Sequence, residues 1–502
     1  MVKDTSKERS NGKQGIGLEQ MLAACGLQER SLIEAVVGLV ALGENCEGLT
    51  NAMEIEQTLI EGAMRVVRPL LQGQLQRALS AADQQQKGRE LCRHCRKARV
   101  RSIGCRSRSW NTLAGRVTLG RKGFECPACK TCEYPSQRVL GLGSEAQTPR
   151  LQETLTLLAT TVPHEMALKL ASELFANTVS EAALQDMVER RARGVQRLLQ
   201  EEVAEHPALN FKGLPTRLPP APSQPSRRVY VEIDGVLPMT REELEEDELT
   251  PEQRVAKALA RQAKARGGKG RRYRLVGREV KVAVIYEEEA VAQESESRGC
   301  LLRKHYVAHL GDPAEFGRLL WAKLISTGFV HADEIVVISD GAEWIRNLIG
   351  QLPLPGRVQL ILDLFHAKHR VWEVANALYG EHQPKAAEWA REQLIRLDEG
   401  KASAVLECLR FLRSRGKTRE LIAALATYLE NNLDRMNYPH YRDQGMRVGS
   451  GAVESANYHV IGARLKTQGC RWSEAGAAEM SVLRVDLFNG AWKARSRALL
   501  AA

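Results

Sequence analysis

The sequence predicts an α/β protein whose second half is a mixed sheet wrapped by helices and whose first half is helical around a cysteine-rich ribbon. Three observations predict it. An alternating segment, Arg228-Val-Tyr-Val-Glu-Ile-Asp234, is followed by the apolar runs Glu334–Ser339 and Val358–Asp363, each preceded by a helical stretch. Two C-x2-C pairs lie well before them, and a proline-rich stretch at 213–227 separates the two textures.

The chain has 502 residues, which suggests about three domains at roughly 150 residues each. Its 43% hydrophobic content suffices for packed cores and excludes a mainly disordered chain. The polar opening MVKDTSKERSNGKQ lacks the apolar core of a signal peptide. No apolar run approaches the ~20 residues of a membrane helix. A soluble, cytoplasmic protein is expected, with no membrane partner. Lys and Arg number 72 against 61 acids, a net +11 that favours an anionic partner such as nucleic acid.

Residues 1–88 form an N-terminal helical region. Leu32, Ile33, Val36, Val37 and Val40, then Leu59, Ile60, Met64 and Val67, recur at helical spacing and read as docking faces. Residues 89–148 read as a zinc ribbon. Cys92-Arg-His-Cys95 and Cys126-Pro-Ala-Cys129 are equal knuckles able to bring four thiolates to one tetrahedral Zn2+. Arg116–Phe124 between them reads as strand, turn, strand. His94 is expected to face solvent, and the roles of Cys105 and Cys132 stay open. Four thiolates leave no position for a substrate, so this metal is structural.

Residues 149–212 are helical again. His164–Phe175, the turn Ala176–Ser180 and Glu181–Arg193, with Ser180 as N-cap, read either as a helix-turn-helix for a DNA major groove or as an ordinary helical hairpin. Residues 213–227, GLPTRLPPAPSQPSR, are a linker. Residues 228–502 form the domain expected to carry the chemistry.

In that domain Val229, Val231 and Ile233 fall on one strand face and Tyr230, Glu232 and Asp234 on the other. Lys281–Tyr286 and His305–Leu310 read as two further strands of an antiparallel meander. Between the first two lies a charged excursion: seven acids in 242–252, then nine Lys/Arg and no acid in 254–274, ending GGKGRRYR with Arg271 and Arg272. It is either a solvated insertion or an arm that follows a phosphate backbone. Pro313–Ser326 is a helix, Asp340 ends the next strand, a helix starts at Ala342, and a strand leads to Asp363-Leu-Phe-His366. This order, β-β-β-α-β-α-β, is that of a ribonuclease-H-like core. Residues from about 384 to 445 carry no strand signal and read as an inserted helical subdomain.

Asp234 and Asp340 then stand on adjacent strands, and Glu454, in the first turns of a helix opened by Gly449-Ser-Gly451, can join them. Three such acids can hold two Mg2+ ions about 4 Å apart, one activating an attacking hydroxyl and one stabilising a leaving oxygen. An Asp-Gly alone is more often a turn; three acids in topological order are a stronger sign.

VEIDG, ISDGA, DLFH and GSGAVESANYHVIGARLKTQGCRWSEAGAAEMSVLR together resemble a bacterial insertion-sequence DDE transposase of the ISKra type, related to Mutator-like elements. The likeness covers roughly residues 90–490. It implies a catalytic triad of Asp234, Asp340 and Glu454, with the 113 residues between the last two fitting a helical insertion. It also implies a [C/D]-x2-H signature at Asp363–His366, in which His366 either touches the scissile phosphate, orients a carboxylate or closes the sheet structurally. Arg464, Lys466, Arg471 and Trp472 would contact the transposon ends, with ordinary packing of Trp472 equally open. Synapsis of two double-stranded DNA ends would need a homo-oligomer, at least a dimer, in a bacterial cytoplasm. A ribonuclease-H-like nuclease or resolvase without joining, and a zinc-ribbon DNA-binding regulator, are the rival readings.

Overall fold

The computed structural model describes residues 51–85, 90–175, 179–205, 218–243, 273–295 and 298–501, with a few isolated positions besides. The chain divides into two compact units, 1–187 with 500–502, and 188–499. Among the described residues no helix is long and apolar enough to cross a membrane.

The first unit is built on a hairpin. Strand β1 (Arg101–Thr112) pairs antiparallel with β2 (Gly115–Glu125), which also pairs with the short β3 (Cys132–Glu133). The tight turn is at Leu113-Ala114, so the expected turn inside Arg116–Phe124 is corrected: that segment is one strand. Its glycines serve close approach instead of reversal. A Cβ on Gly123 would stand 2.8 Å from Ile103 and 2.9 Å from the Tyr134 ring. Trp110, Val117 and Leu119 form the core of this unit with Leu79 and Leu142.

Helix α1 (Ala52–Gln85) lies along β2 and completes its hydrogen bonding with side chains. Gln72 accepts from the Thr118 N–H (3.1 Å), Gln76 both accepts from and donates to Gly120 (2.8 Å each), and Asp83 accepts from the Lys122 N–H (3.0 Å). Positions 72, 76 and 83 share one helix face, which is why one straight helix can serve successive residues of a strand edge. The expected docking face differs: Leu59, Ile60 and Val67 are exposed, as are Val37 and Val40, because the helix docks through Val66, Leu75 and Leu79. Leu32, Ile33 and Val36 lie outside the described residues.

Three helices follow: α2 (Pro149–Thr161), α3 (His164–Phe175) and α4 (Glu181–Glu205). Ser180 caps α4 as expected, its hydroxyl accepting from the Ala183 N–H (3.3 Å). The helix runs on past Arg193 to Glu205, twice the expected length, because nothing in GVQRLLQEEVAE breaks it. The turn residues 176–178 lie outside the described residues.

Among its described residues the second unit holds nine strands: β4 (Arg228–Val236), β5 (Met239–Glu243), β6 (Tyr273–Gly277), β7 (Val280–Glu287), β8 (Val291–Ser295), β9 (Arg298–Leu301), β10 (His305–Leu310), β11 (Glu334–Ser339) and β12 (Arg357–Leu362). Five of them form one sheet in the order β10-β7-β4-β11-β12. The first three are antiparallel neighbours, and β4, β11 and β12 run parallel. The ribbons β5 with β6 and β8 with β9 go beyond the expected elements. Sequences such as MTREE and YRLVG lack the apolar alternation that marks a half-buried strand.

One sheet face forms the core. Val229, Val231, Ile233, Ile285, Ile335 and Val337 pack on Phe316, Leu320 and Trp321 of α5 (Pro313–Ser326), and on Ile345, Leu348 and Ile349 of α6 (Glu343–Gln351). Asp312 caps α5 by accepting from the Ala314 N–H (3.0 Å). Helix α7 (Leu364–Tyr379) follows β12. Four helices then fill 384–445 without a strand: α8 (Pro384–Asp398), which packs on α7, α9 (Ala402–Phe411), α10 (Gly416–Glu430) and α11 (Tyr438–Asp443). Where β4 begins, the buried Arg228 is held by Glu288 and Glu334, each at 2.7 Å. Removing one partner of a buried ion pair leaves the others uncompensated. Arg228→Met is therefore expected to cost about 3 kcal/mol in urea unfolding, and a loss under about 1 kcal/mol would contradict it.

Candidate functional site

Two groups of side chains have the chemistry of sites. In the first unit, the knuckles are built alike. Arg96 and Lys130, each following the second cysteine of its knuckle, have φ of 54° and 60°. Each donates its N–H to the first cysteine's carbonyl, at 2.8 Å from Cys92 and 2.9 Å from Cys126. The sulfurs converge: Cys92 to Cys129 and Cys95 to Cys126 are both 3.6 Å, and all four lie within 4.8 Å of one another. Zinc–sulfur bonds of about 2.3 Å in a tetrahedron require sulfurs about 3.8 Å apart, so the quartet fits a metal such as zinc. The Thr131 hydroxyl and N–H beside Cys129 hold its thiol down, to about 6. Cys105 and Cys132 are exposed and outside the quartet, and His94 is exposed.

In the second unit, register makes the other site. The parallel ladder between β4 and β11 ends with Ser339 opposite Ile233, which sets Asp340 beside Asp234. That between β11 and β12 ends with Leu362 opposite Ser339, which sets Asp363 beside Asp340. Three aspartates therefore stand in a row at the carboxyl ends of three neighbouring strands, where open α/β sheets present ligand sites.

The segment 446–457 then passes over this row, bonded both to β4 and to the residues that follow β12. The Leu364 N–H donates to the Val448 carbonyl (3.0 Å), and Asp363 accepts from both the N–H (3.1 Å) and hydroxyl of Ser450. A Cβ on Gly449 would lie 2.6 Å from the Phe365 ring, so the chain passes close against that ring. Helix α12 (Gly451–Ala456) starts there and runs into a π-helical stretch, Asn457–Gly462. Glu232 accepts from the Ala452 (2.8 Å) and Val453 (2.9 Å) N–H groups, and Asn457 donates to Asp234 Oδ2 (2.7 Å). Glu454 is thereby carried over the aspartates.

The electrostatics show the crowding. Burial raises the Asp234 carboxyl; the Gly235 N–H opposes this, and the charges of Asp340 and Glu454 add to it. His366 Nδ1 lies 3.1 Å from Asp363 Oδ2 and 3.9 Å from Glu454 Oε1. Its pKa is raised to about 9, first by the bond to Asp363, with Asp234 and Asp340 contributing. Burial acts to raise Asp363, but His366, Ser450 and the Phe365 N–H outweigh it and hold it below the usual range. Burial pushes Glu232 up to about 7 against the hydrogen bonds of Tyr286, Val453 and Ala452.

Asp363, His366 and Glu454 offer ligand atoms within 4.8 Å of one another, whereas Asp234 and Asp340 are not drawn into that group. His366 is raised from 6.5 to about 9 on folding, so its stabilisation is complete below 6.5 and lost as pH rises through about 9. In metal-free buffer, the excess stability of the native chain over His366→Asn should be largest near pH 6 and shrink steadily toward pH 9. A difference that grows with pH would refute the assignment.

Arg464, expected at the transposon ends, is 3% exposed, with its guanidinium 4.8 Å over the Trp472 ring. Trp472 itself is packed, its indole donating to the Leu465 carbonyl (3.2 Å) and its carbonyl accepting from the Arg241 N–H (2.7 Å). Lys466 and Arg471 are exposed, Arg471 donating to the Tyr273 hydroxyl at 2.9 Å. Arg271 and Arg272 lie outside the described residues. Sequence reasoning missed the roles of Glu232, Ser450 and Asn457. The signal for Glu232 was its place on the polar face of β4, alternating with Asp234.

Residues 267–498 match the uncharacterised protein family UPF0236, a match that takes in β6 to β12, helices α5 to α12 and all of the site except Glu232 and Asp234. No curated protein matches the chain.

Proposed function

We propose that the chain is a DNA transposase of the DDE type. It would bind the inverted repeats that end its element, hydrolyse a phosphodiester there, and join the freed end to target DNA. The observation that carries this reading is the placing of Asp234 and Asp340 side by side on parallel strands, with Glu454 returned across them on a helix. The strand order, three antiparallel neighbours followed by two parallel ones, and the helical subdomain before Glu454 support a ribonuclease-H-like core.

In the first step the oxygen of water attacks phosphorus, and the P–O bond to the element's 3′ oxygen breaks, leaving a 3′-hydroxyl. In the second, that hydroxyl attacks a target phosphodiester and the target's 3′ oxygen leaves. Asp234, Asp340 and Glu454 form an oxygen donor set suited to Mg2+, which when bound would supply charge for the attacking and leaving oxygens. The mutual repulsion felt by Asp234 is what a cation there would relieve. His366, held in place by Asp363 and cationic at neutral pH, suits the phosphate. The net charge of +11 and the four-cysteine ribbon suit DNA ends, and synapsis of two ends implies at least a dimer.

The test incubates the protein with labelled DNA from the flanks of its own gene, a plasmid target and Mg2+. Joined products are expected. Cleavage without joining would favour a nuclease or resolvase, and binding alone a regulator.

A further inference from the structure

We propose that Glu232 is a positioning residue, a buried strut on β4 that sets Glu454 against Asp234 by holding the start of α12. The inference rests on reading Asp234, Asp340 and Glu454 as the reacting cluster.

The polar face of β4 presents Tyr230, Glu232 and Asp234 in succession, and the returning segment meets them in order. The Arg447 N–H donates to the Tyr230 hydroxyl (3.3 Å), Ala452 and Val453 donate to Glu232, and Asn457 donates to Asp234. Spacing along the strand is thus matched by spacing along the incoming chain. Glu454 falls between the second and third of these contacts. Its own side chain is 52% exposed, so its place is fixed by the backbone beside it.

Glu232 suits this task. It is 2% exposed, and its second oxygen accepts from the Tyr286 hydroxyl (2.5 Å), whose ring stacks on Tyr230 at 5.2 Å. The carboxylate cannot swing away without leaving buried donors unmet. The N–H groups it accepts are those that a first helical turn leaves without partners. Asp363 holds Ser450 just before, from beyond β12, so the start of α12 is gripped from two strands. The π-helical stretch then turns Asn457 back onto Asp234. An apolar side chain would fill the same space and still close the core. What a carboxylate adds is register between helix and strand.

Two variants separate strut from filler. Glu232→Leu keeps the volume and removes the acceptor. Glu232→Gln keeps an oxygen for both N–H groups and offers its amide to Tyr286. By hydrogen exchange, Glu232→Leu should speed exchange across 451–462 by about tenfold or more while β11 stays as in the native chain. With Mg2+ and labelled flank DNA, its cleavage rate should fall by about a hundredfold at unchanged DNA affinity, and Glu232→Gln should restore most of both.

Native exchange at 451–462 in Glu232→Leu, or a Glu232→Gln as defective as the leucine variant, would overturn the proposal. If the native chain itself does not cleave DNA, the transposase reading fails, and the exchange measurement still decides the strut. Should Glu232→Leu not fold, Ala452→Pro removes one of the two donors in a first turn that tolerates proline. It should speed exchange at 453–462, and unchanged exchange there would likewise overturn the proposal.

Discussion

Glu454→Gln is expected to abolish strand cleavage and joining, by about a thousandfold or more, while binding of the DNA ends and the melting temperature stay close to native. The size follows from what the substitution removes. Glutamine keeps the length and shape of the side chain, so the helix start held by Glu232 and Asp363 is undisturbed. It takes away one of the charges that bear on Asp234. If the three carboxylates hold a divalent cation, neutralising one removes about a third of their Coulombic attraction for it. Asp234→Asn should act as strongly on rate, because it removes the carboxylate on which the charges of Asp340 and Glu454 bear. The measurement is single-turnover cleavage of labelled end DNA beside a binding titration. Strand transfer retained by Glu454→Gln would remove that residue from the mechanism.

Cys126→Ser is expected to abolish metal binding by the ribbon and unfold residues 90–135. Binding of structural zinc by small domains amounts to on the order of 10–16 kcal/mol, and here it would be shared by two knuckles with little other support. The core of the unit is small, with Leu79, Trp110, Val117, Leu119 and Leu142 at its centre. Both knuckles lie beyond it, at the far end of the hairpin from the Leu113-Ala114 turn. Metal analysis should fall from about one zinc per chain to near none, and limited proteolysis should open the knuckles first. Cys105→Ser is the control, since Cys105 is exposed and outside the quartet, and it should change neither. Full metal content in Cys126→Ser would overturn the quartet.

How much of this was legible varies with distance along the chain. The knuckles were, because two cysteines three apart in a turn encode a ligand pair locally, and two equal pairs encode a tetrahedron. The helix at Pro313–Ser326 was, because Asp312 and Pro313 mark its start within two residues. The turn in the ribbon was misplaced because glycine has two uses, reversal and close approach, and only the neighbours at Gly123 tell which applies. Arg464 was given as a DNA contact by the resemblance, whereas its burial over Trp472 belongs to the fold.

The sequence by itself determined the main strands and helices of the second unit, the four thiolates, and the acids Asp234 on β4 and Asp340 just after β11, since periodicity, caps and turns are written in neighbouring residues. Only the tertiary structure decided that Asp363 completes a row with Asp234 and Asp340, and that Glu232 grips the helix that brings Glu454. The physical reason is that those contacts join residues about 220 positions apart in the case of Glu232 and α12. A hydrogen bond across that span leaves no periodic trace in either segment. It exists only once parallel register and a returning helix bring donor and acceptor together.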